Sequence, residues 1–150
     1  MKLKKMKNIK QLLLFNLLFL LFSTFVVADE NFFKEAKEKY DQKKFEDSKF
    51  LFQRNIVYNP KDAKSYLYLA KIFETEKNEK EQIKNINTTL LLDPKNEEAM
   101  YMLMNYELDK SNYSKVKNLK EKFIVICKKL CDKTKKIENS LKDIEPKNES

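Results

Sequence analysis

Few residues in this sequence could do demanding covalent or acid–base chemistry. Cys127 and Cys131 are the only thiols among the 150 residues, and the sequence has neither histidine nor glycine. Without histidine there is no Ser-His-Asp arrangement, no zinc-protease helix and no haem-attaching Cys-x-x-Cys-His. Without glycine the common phosphate-cradling and dinucleotide-binding loops are excluded. The cysteines are four residues apart, which puts both thiols on one face if a helix runs through them. An oxidising compartment favours pairing, but a bridge within one regular helix would be strained and easily reduced. The plainest reading is two small buried side chains beside Phe123 and Leu130. A disulfide between two protomers comes next, and thiol redox catalysis lacks its usual Cys-x-x-Cys spacing. The expectation is no catalytic residue, no cofactor and no metal site, in a protein that is not an enzyme.

Any site must therefore be a surface, and the elements that form it begin after an N-terminal address. Lys2, Lys4, Lys5, Lys7 and Lys10 precede a run from Leu12 to Val27 that is apolar apart from Asn16, Ser23 and Thr24. Val26-Val27-Ala28 offers small residues before Asp29-Glu30, so residues 1–28 read as a secretory signal cut between Ala28 and Asp29. The alternative is an uncleaved anchor, because the apolar run is just short of the roughly 20 residues of a spanning helix. Either reading exports the remainder, to a periplasm or the outer face of an inner membrane. The charge balance changes accordingly. The whole chain is +8, but five of its 31 basic residues lie in this segment, leaving 26 against 23 acidic residues, or +3. A nucleic-acid partner is not expected from so small an excess.

Between Asp29 and Ile144 the only prolines are Pro60 and Pro94, at an interval of 34, in the related stretches NPKDAKSYLYLA and DPKNEEAMYMLM. Apolar residues recur at threes and fours, the period of helices with one buried face. A period of 34 with helix–turn–helix content resembles the tetratricopeptide repeat (TPR). In the middle repeat Tyr66, Leu69, Ala70 and Phe73 stand at the first signature positions, and Ile83, Ile86, Leu90 and Leu92 form the second helix's ladder. Gln82 replaces a small residue there and should loosen the helix pair. The first repeat has Phe32 or Phe33, Ala36, Tyr40, Phe45, Ser48 and Phe52, with Asn55 in place of a small apolar residue. The third has Met100, Leu103, Met104, Tyr106 or Leu108, Tyr113, Val116 and Phe123, without a closing proline.

The resemblance implies an all-α chain, a short right-handed α-solenoid of three helix–turn–helix repeats at about 29–61, 62–95 and 96–131, with residues 132–150 as helix extension and polar tail. In that family the first helices line a concave face. By position this gives Phe33, Lys37 and Tyr40 from the first repeat, Lys64, Leu67, Lys71 and Glu74 from the second, and Glu98, Tyr101, Asn105 and Leu108 from the third. The implied partner is a protein or peptide, and the Lys and Asn clamp that some members use on a C-terminal carboxylate is not found.

From Tyr113 onward Val116, Leu119, Phe123, Ile126, Leu130, Ile137, Leu141 and Ile144 keep the helical spacing with no proline until Pro146. One long helix is expected. It either caps the stack, which would otherwise expose an apolar face, or pairs two protomers as a short coiled coil. Residues 115–136 hold nine lysines against Glu121 and Asp132, either a solvated face or a patch for anionic lipid or an acidic partner. The expected function is an exported interaction module in the cell envelope. The alternative is a membrane-associated accessory subunit acting through the N-terminal segment and the lysine-rich helix.

Overall fold

The computed structural model describes residues 29–143, with side chains from residue 32 on. The signal segment 1–28 with its expected cut after Ala28, and the tail from Ile144, lie outside the described residues. Among those described the structure is entirely helical: α1 (Asp29–Asp41), α2 (Phe45–Tyr58), α3 (Ala63–Thr75), α4 (Glu79–Leu92), α5 (Glu97–Asp109), α6 (Tyr113–Ile126) and α7 (Lys133–Lys142). The second helices α2, α4 and α6 are each 14 residues long, and their first residues, Phe45, Glu79 and Tyr113, keep the interval of the two prolines. The repeat read from the prolines is thus a repeat of helix bounds. None of these helices is long and apolar enough to cross a membrane.

Each helix pair turns in the same way. Lys43, Lys77 and Ser111, at that same interval, have φ values of 60°, 56° and 58°. The N–H groups of Lys44, Asn78 and Asn112 then reach back to the carbonyls of Lys39, Phe73 and Glu107 at 2.9 Å. This is the Schellman closure of a helix end, which favours glycine at the left-handed residue. A chain without glycine makes it three times with lysine or serine. The starts of α3, α4 and α5 are capped by side chains. Asp62 accepts from the Lys64 N–H, Asn78 from that of Glu81, and Asn96 from that of Ala99. Each such cap contributes about 1 kcal/mol.

Packing runs mainly between neighbours in chain order, with α7 also touching α5, as expected of a stacked repeat. Two cores result. The first, around Ala36, Leu51, Phe52, Leu69, Ile72 and Phe73, is rich in aromatics. Phe33, Tyr40, Phe45, Phe52 and Tyr68 form linked ring contacts with centroids 5.0–5.9 Å apart, within the range of favourable stacked and edge-on pairs. The second core is aliphatic and methionine-rich, from Leu67 and Ile86 through Met100, Leu103 and Met104 to Val116 and Phe123. Ala36, Ala70 and Met104, at one repeat position, are all fully buried.

Two expectations are corrected and one open alternative is decided. Gln82 does not loosen its helix pair: it is buried, and its Nε2 donates to Glu74 Oε1 at 3.2 Å. A buried amide with a partner is tolerated where an unpartnered one would cost stability. The terminal segment is not one long helix, because α6 stops at Ile126 and Cys127 is extended, with ψ 141°. Finally, α7 folds back rather than pairing protomers. Ile137 and Leu141 are buried in the second core, which removes the apolar seam a coiled coil would need. These two residues stand one repeat period after Leu103 and Glu107, so the cap follows the register of a fourth first helix.

Candidate functional site

The third joint, between α6 and α7, departs from the two before it. Cys127 and Cys131 are joined as a disulfide closing residues 127–131. They are not buried thiols on one helix, since the helix ends before them and Cys131 is exposed. Glu97, in the first turn of α5, accepts the N–H groups of Lys129 at 2.9 Å and Leu130 at 2.7 Å. The bond from Leu130 is the main reason the Glu97 carboxyl lies below its ordinary value. Partial desolvation opposes this, and the N–H groups of Lys129 and Lys128 with the Lys129 charge reinforce it.

This closure builds a groove. Lys64, Leu67 and Tyr68 of α3, the second joint from Asp93 to Asn96 without its proline, Glu97 and Glu98 of α5, and Lys129 and Leu130 line a cavity of about 550 Å³. Leu67, Tyr68 and Leu130 give it apolar walls. Its acidic groups are already engaged. Glu97 holds the third joint, Glu98 pairs with Lys71, and Asp93 accepts from the Lys95 N–H and from Asn96 Nδ2. Lys64, Lys95 and Lys129 have no ion pair among the described residues. A second cavity, of about 760 Å³, is lined only by Ser111 to Lys115, Asn118, Leu119 and Lys122. It lies against a single turn and helix, with no second element converging on it.

The residues expected on the first-helix face divide into three sets. Lys64, Leu67 and Glu98 meet in the groove. Phe33, Lys37, Tyr40 and Lys71 form an adjoining cluster around Tyr68, with Glu74 near Lys71 and Tyr40. Phe33 and Tyr40 make edge contacts with the Tyr68 ring, and Lys71 Nζ lies 4.7 Å from its centroid. Lys37 bonds Asp41 at 2.6 Å, which raises its pKa together with the nearby Tyr68 phenol. Desolvation raises both phenols. The carboxylates of Glu98, Glu74 and Asp41 add to this at Tyr40, and at Tyr68 the Lys37 charge opposes it. Both therefore stay neutral donors at ordinary pH. Desolvation of the Glu74 carboxylate, although the residue keeps an exposed flank, and the charge of Asp109 raise its pKa against Lys71 and Gln82. The third set, Tyr101, Asn105 and Leu108, is partly buried and does not line the groove; Tyr101 and Leu108 pack on the second core.

Sequence reasoning missed Tyr68, Lys95, Glu97, Lys129, Leu130 and Glu107. Lys129 was available, because it stands one repeat period beyond Lys95. Glu107 was not, because a charged residue at a core position reads as surface. It is buried, with Lys115 Nζ at 2.7 Å and Asn112 Nδ2 at 2.6 Å. Burial alone would raise its pKa, but these two partners outweigh that and lower it. The lysine-rich segment is also partly spent internally, with Lys115 on Glu107, Lys120 on Glu138 and Lys133 on Asp132. Among the described residues no group of three or more His, Cys, Asp or Glu could hold a metal ion.

No protein-family model matches the chain, and no curated protein does. Solved structures do. It is similar to the TPR domain of Sgt2 from Aspergillus fumigatus (TM-score 0.63, 16% identity, 77% of this chain and 78% of that one). It is also similar to the type III secretion translocator chaperone SycD of Yersinia enterocolitica (0.65, 18%, 81% and 94%). A chain of the CopN–Scc3 complex matches at 0.60, 16% identity, covering 81% and 79%. With its repeating helix pairs and stacked cores, the chain has the TPR-like helical-solenoid fold.

Proposed function

We propose that the protein is an exported interaction scaffold that holds a peptide or helix of a partner protein in the groove between α3, α5 and the third joint. The observation that carries this reading is the convergence of three elements on one cleft, with apolar walls at Leu67, Tyr68 and Leu130 and unpaired lysines at Lys64, Lys95 and Lys129. Apolar anchors inside a polar rim are how interfaces obtain affinity and register. Two of the similar structures are a translocator chaperone and a chain from a two-protein complex, which favours a protein ligand. Export is supported by the signal-like residues 1–28 and by a disulfide, which persists in oxidising compartments.

Photocrosslinking in the producing cells tests the reading. A photoreactive residue at Lys64 should capture a defined protein that the same residue at Lys80, on the first turn of α4, does not. Equal capture at the two positions, or none at Lys64, would count against the groove.

A further inference from the structure

The exposed apolar side chains are not scattered. Six large hydrophobic residues are exposed among those described, and five of them, Val57, Tyr58, Leu91, Ile124 and Val125, lie in the last three residues of α2, α4 or α6. Val57, Leu91 and Val125 are spaced by one repeat period and keep 77%, 81% and 85% of their surface. One repeat position is thus apolar and open in all three second helices. Scattered exposed hydrophobics need no explanation, but a row in register does.

A basic row accompanies it. Four residues after each of these side chains comes a lysine, at Lys61, Lys95 and Lys129, all exposed and without an ion pair among the described residues. Lys128, also exposed, adds to this edge at the third joint. The nearby acids Asp62 and Asp93 are taken up by capping and joint hydrogen bonds. The carboxylates of Asp62, Asp93 and Glu97 stand beside these lysines but form no ion pair with them, so the joint edge offers apolar side chains flanked by lysines that are free to meet an external anion.

We infer that this joint edge is a docking surface for an anionic lipid bilayer. Val57, Leu91 and Val125 enter the acyl boundary, while the joint lysines meet phosphate headgroups. This combination drives interfacial binding. Side chains that stand this proud would need three matching holes in a rigid partner, whereas a fluid surface adapts to them. A second copy of the edge is disfavoured because it would set lysine against lysine. The surface takes Lys128 and Lys129 from the lysine-rich segment and shares Lys95 and Lys129 with the groove, but its apolar row lies outside the groove lining.

The full chain carries its own apolar N-terminal segment, so the test must read which residues touch lipid. Leu91→Cys and Lys80→Cys are each labelled with an environment-sensitive fluorophore, the native disulfide being left oxidised. The two sites lie about 16 Å apart along α4. Each is mixed with phosphatidylglycerol–phosphatidylcholine vesicles carrying a shallow acyl-chain quencher. Quenching at position 91 and not at 80 is expected. It should weaken roughly tenfold at matched lipid in the Lys61→Glu/Lys128→Glu variant, both sites being outside the groove lining. An unquenched probe at 91 overturns the inference. So does a probe that responds to soluble polyglutamate but not to vesicles, which would assign the edge to an acidic protein. A concentration-dependent dimer abolished by Val57→Ser/Leu91→Ser/Val125→Ser would overturn it in favour of self-association.

Discussion

The first and third joints occupy equivalent places in the repeat and are held by different forces. The first is an interior polar lock. Asn55, nearly fully buried, donates to Asp62 Oδ2 and Ser65 Oγ at 2.9 Å, and Ser65 Oγ donates to the same Asp62 oxygen at 2.7 Å. The third has Phe123 where the first has Asn55 and Leu130 where it has Asp62, so no polar lock can form. A disulfide and the borrowed carboxylate of Glu97 close it instead. The second joint lies between them: Thr89 bonds the Asn85 carbonyl of its own helix at 2.9 Å, and Asn96 still caps α5. The stack thus continues across a joint of altered length and backbone when polar capping gives way to covalent closure. The change falls where a groove wall is needed and the stack must end.

The largest effect should come from breaking the first joint. Asp62→Ala removes a helix cap and leaves the buried Asn55 amide short of an acceptor, and should cost about 2–3 kcal/mol. Asn96→Ala, at the equivalent position, should cost about 1 kcal/mol, because Thr89 does not depend on it. Urea midpoints of the two variants measure the difference, and equal losses would mean that the first joint is no lock. Next comes Cys127→Ser/Cys131→Ser. Opening so short a loop should cost about 2 kcal/mol or less. The loss should be local, with faster amide exchange in α7 around Ile137 and Leu141 and little change in α1–α3, since the repeats are coupled mainly through neighbours.

These contrasts explain what could be read in advance. Pro60, Pro94 and the apolar ladders reveal the repeat, because one buried face per helix imposes its period on sequence. The third joint was not legible, because the apolar spacing from Phe123 through Ile126 to Leu130 continues across the break. Where the helix stops, a local bridge to Cys131 and a tertiary contact, the Glu97 carboxylate from a helix earlier in the chain, hold the broken segment. The candidate face was legible in part for a similar reason. Position in a first helix placed Lys64, Leu67 and Glu98 in the groove and Lys71 beside it. It could not show that Tyr68 links α1 to α3, or that Tyr101 and Leu108 turn toward the second core.

A smaller effect separates the third joint by pH. The Glu97 carboxyl is held below its ordinary value in the folded chain, so its contribution is complete above the unfolded carboxyl pKa. It is lost as pH falls through the lower folded value. Acid should therefore loosen the 127–131 loop in the native chain. Glu97→Gln should show weaker protection of the Lys129 and Leu130 amides at neutral pH and a flatter acid response. Hydrogen exchange across pH 3–7 reads both, and identical profiles in the two proteins would remove Glu97 from the closure.

The smallest effect belongs to the turns that do not differ. Lys43, Lys77 and Ser111 carry the left-handed residue of the three Schellman closures. A non-glycine side chain there costs about 1–2 kcal/mol, while glycine gives back roughly 0.4–1 kcal/mol through the freer unfolded chain. Lys77→Gly should therefore stabilise by about 0–1.6 kcal/mol, and Lys77→Val should destabilise because a β-branched residue fits this region poorly. The sharper expectation is equality: glycine at 43, 77 or 111 should shift the unfolding midpoint by the same small amount. Unequal shifts would mean that the divergence seen at the joints extends to the turns inside each helix pair.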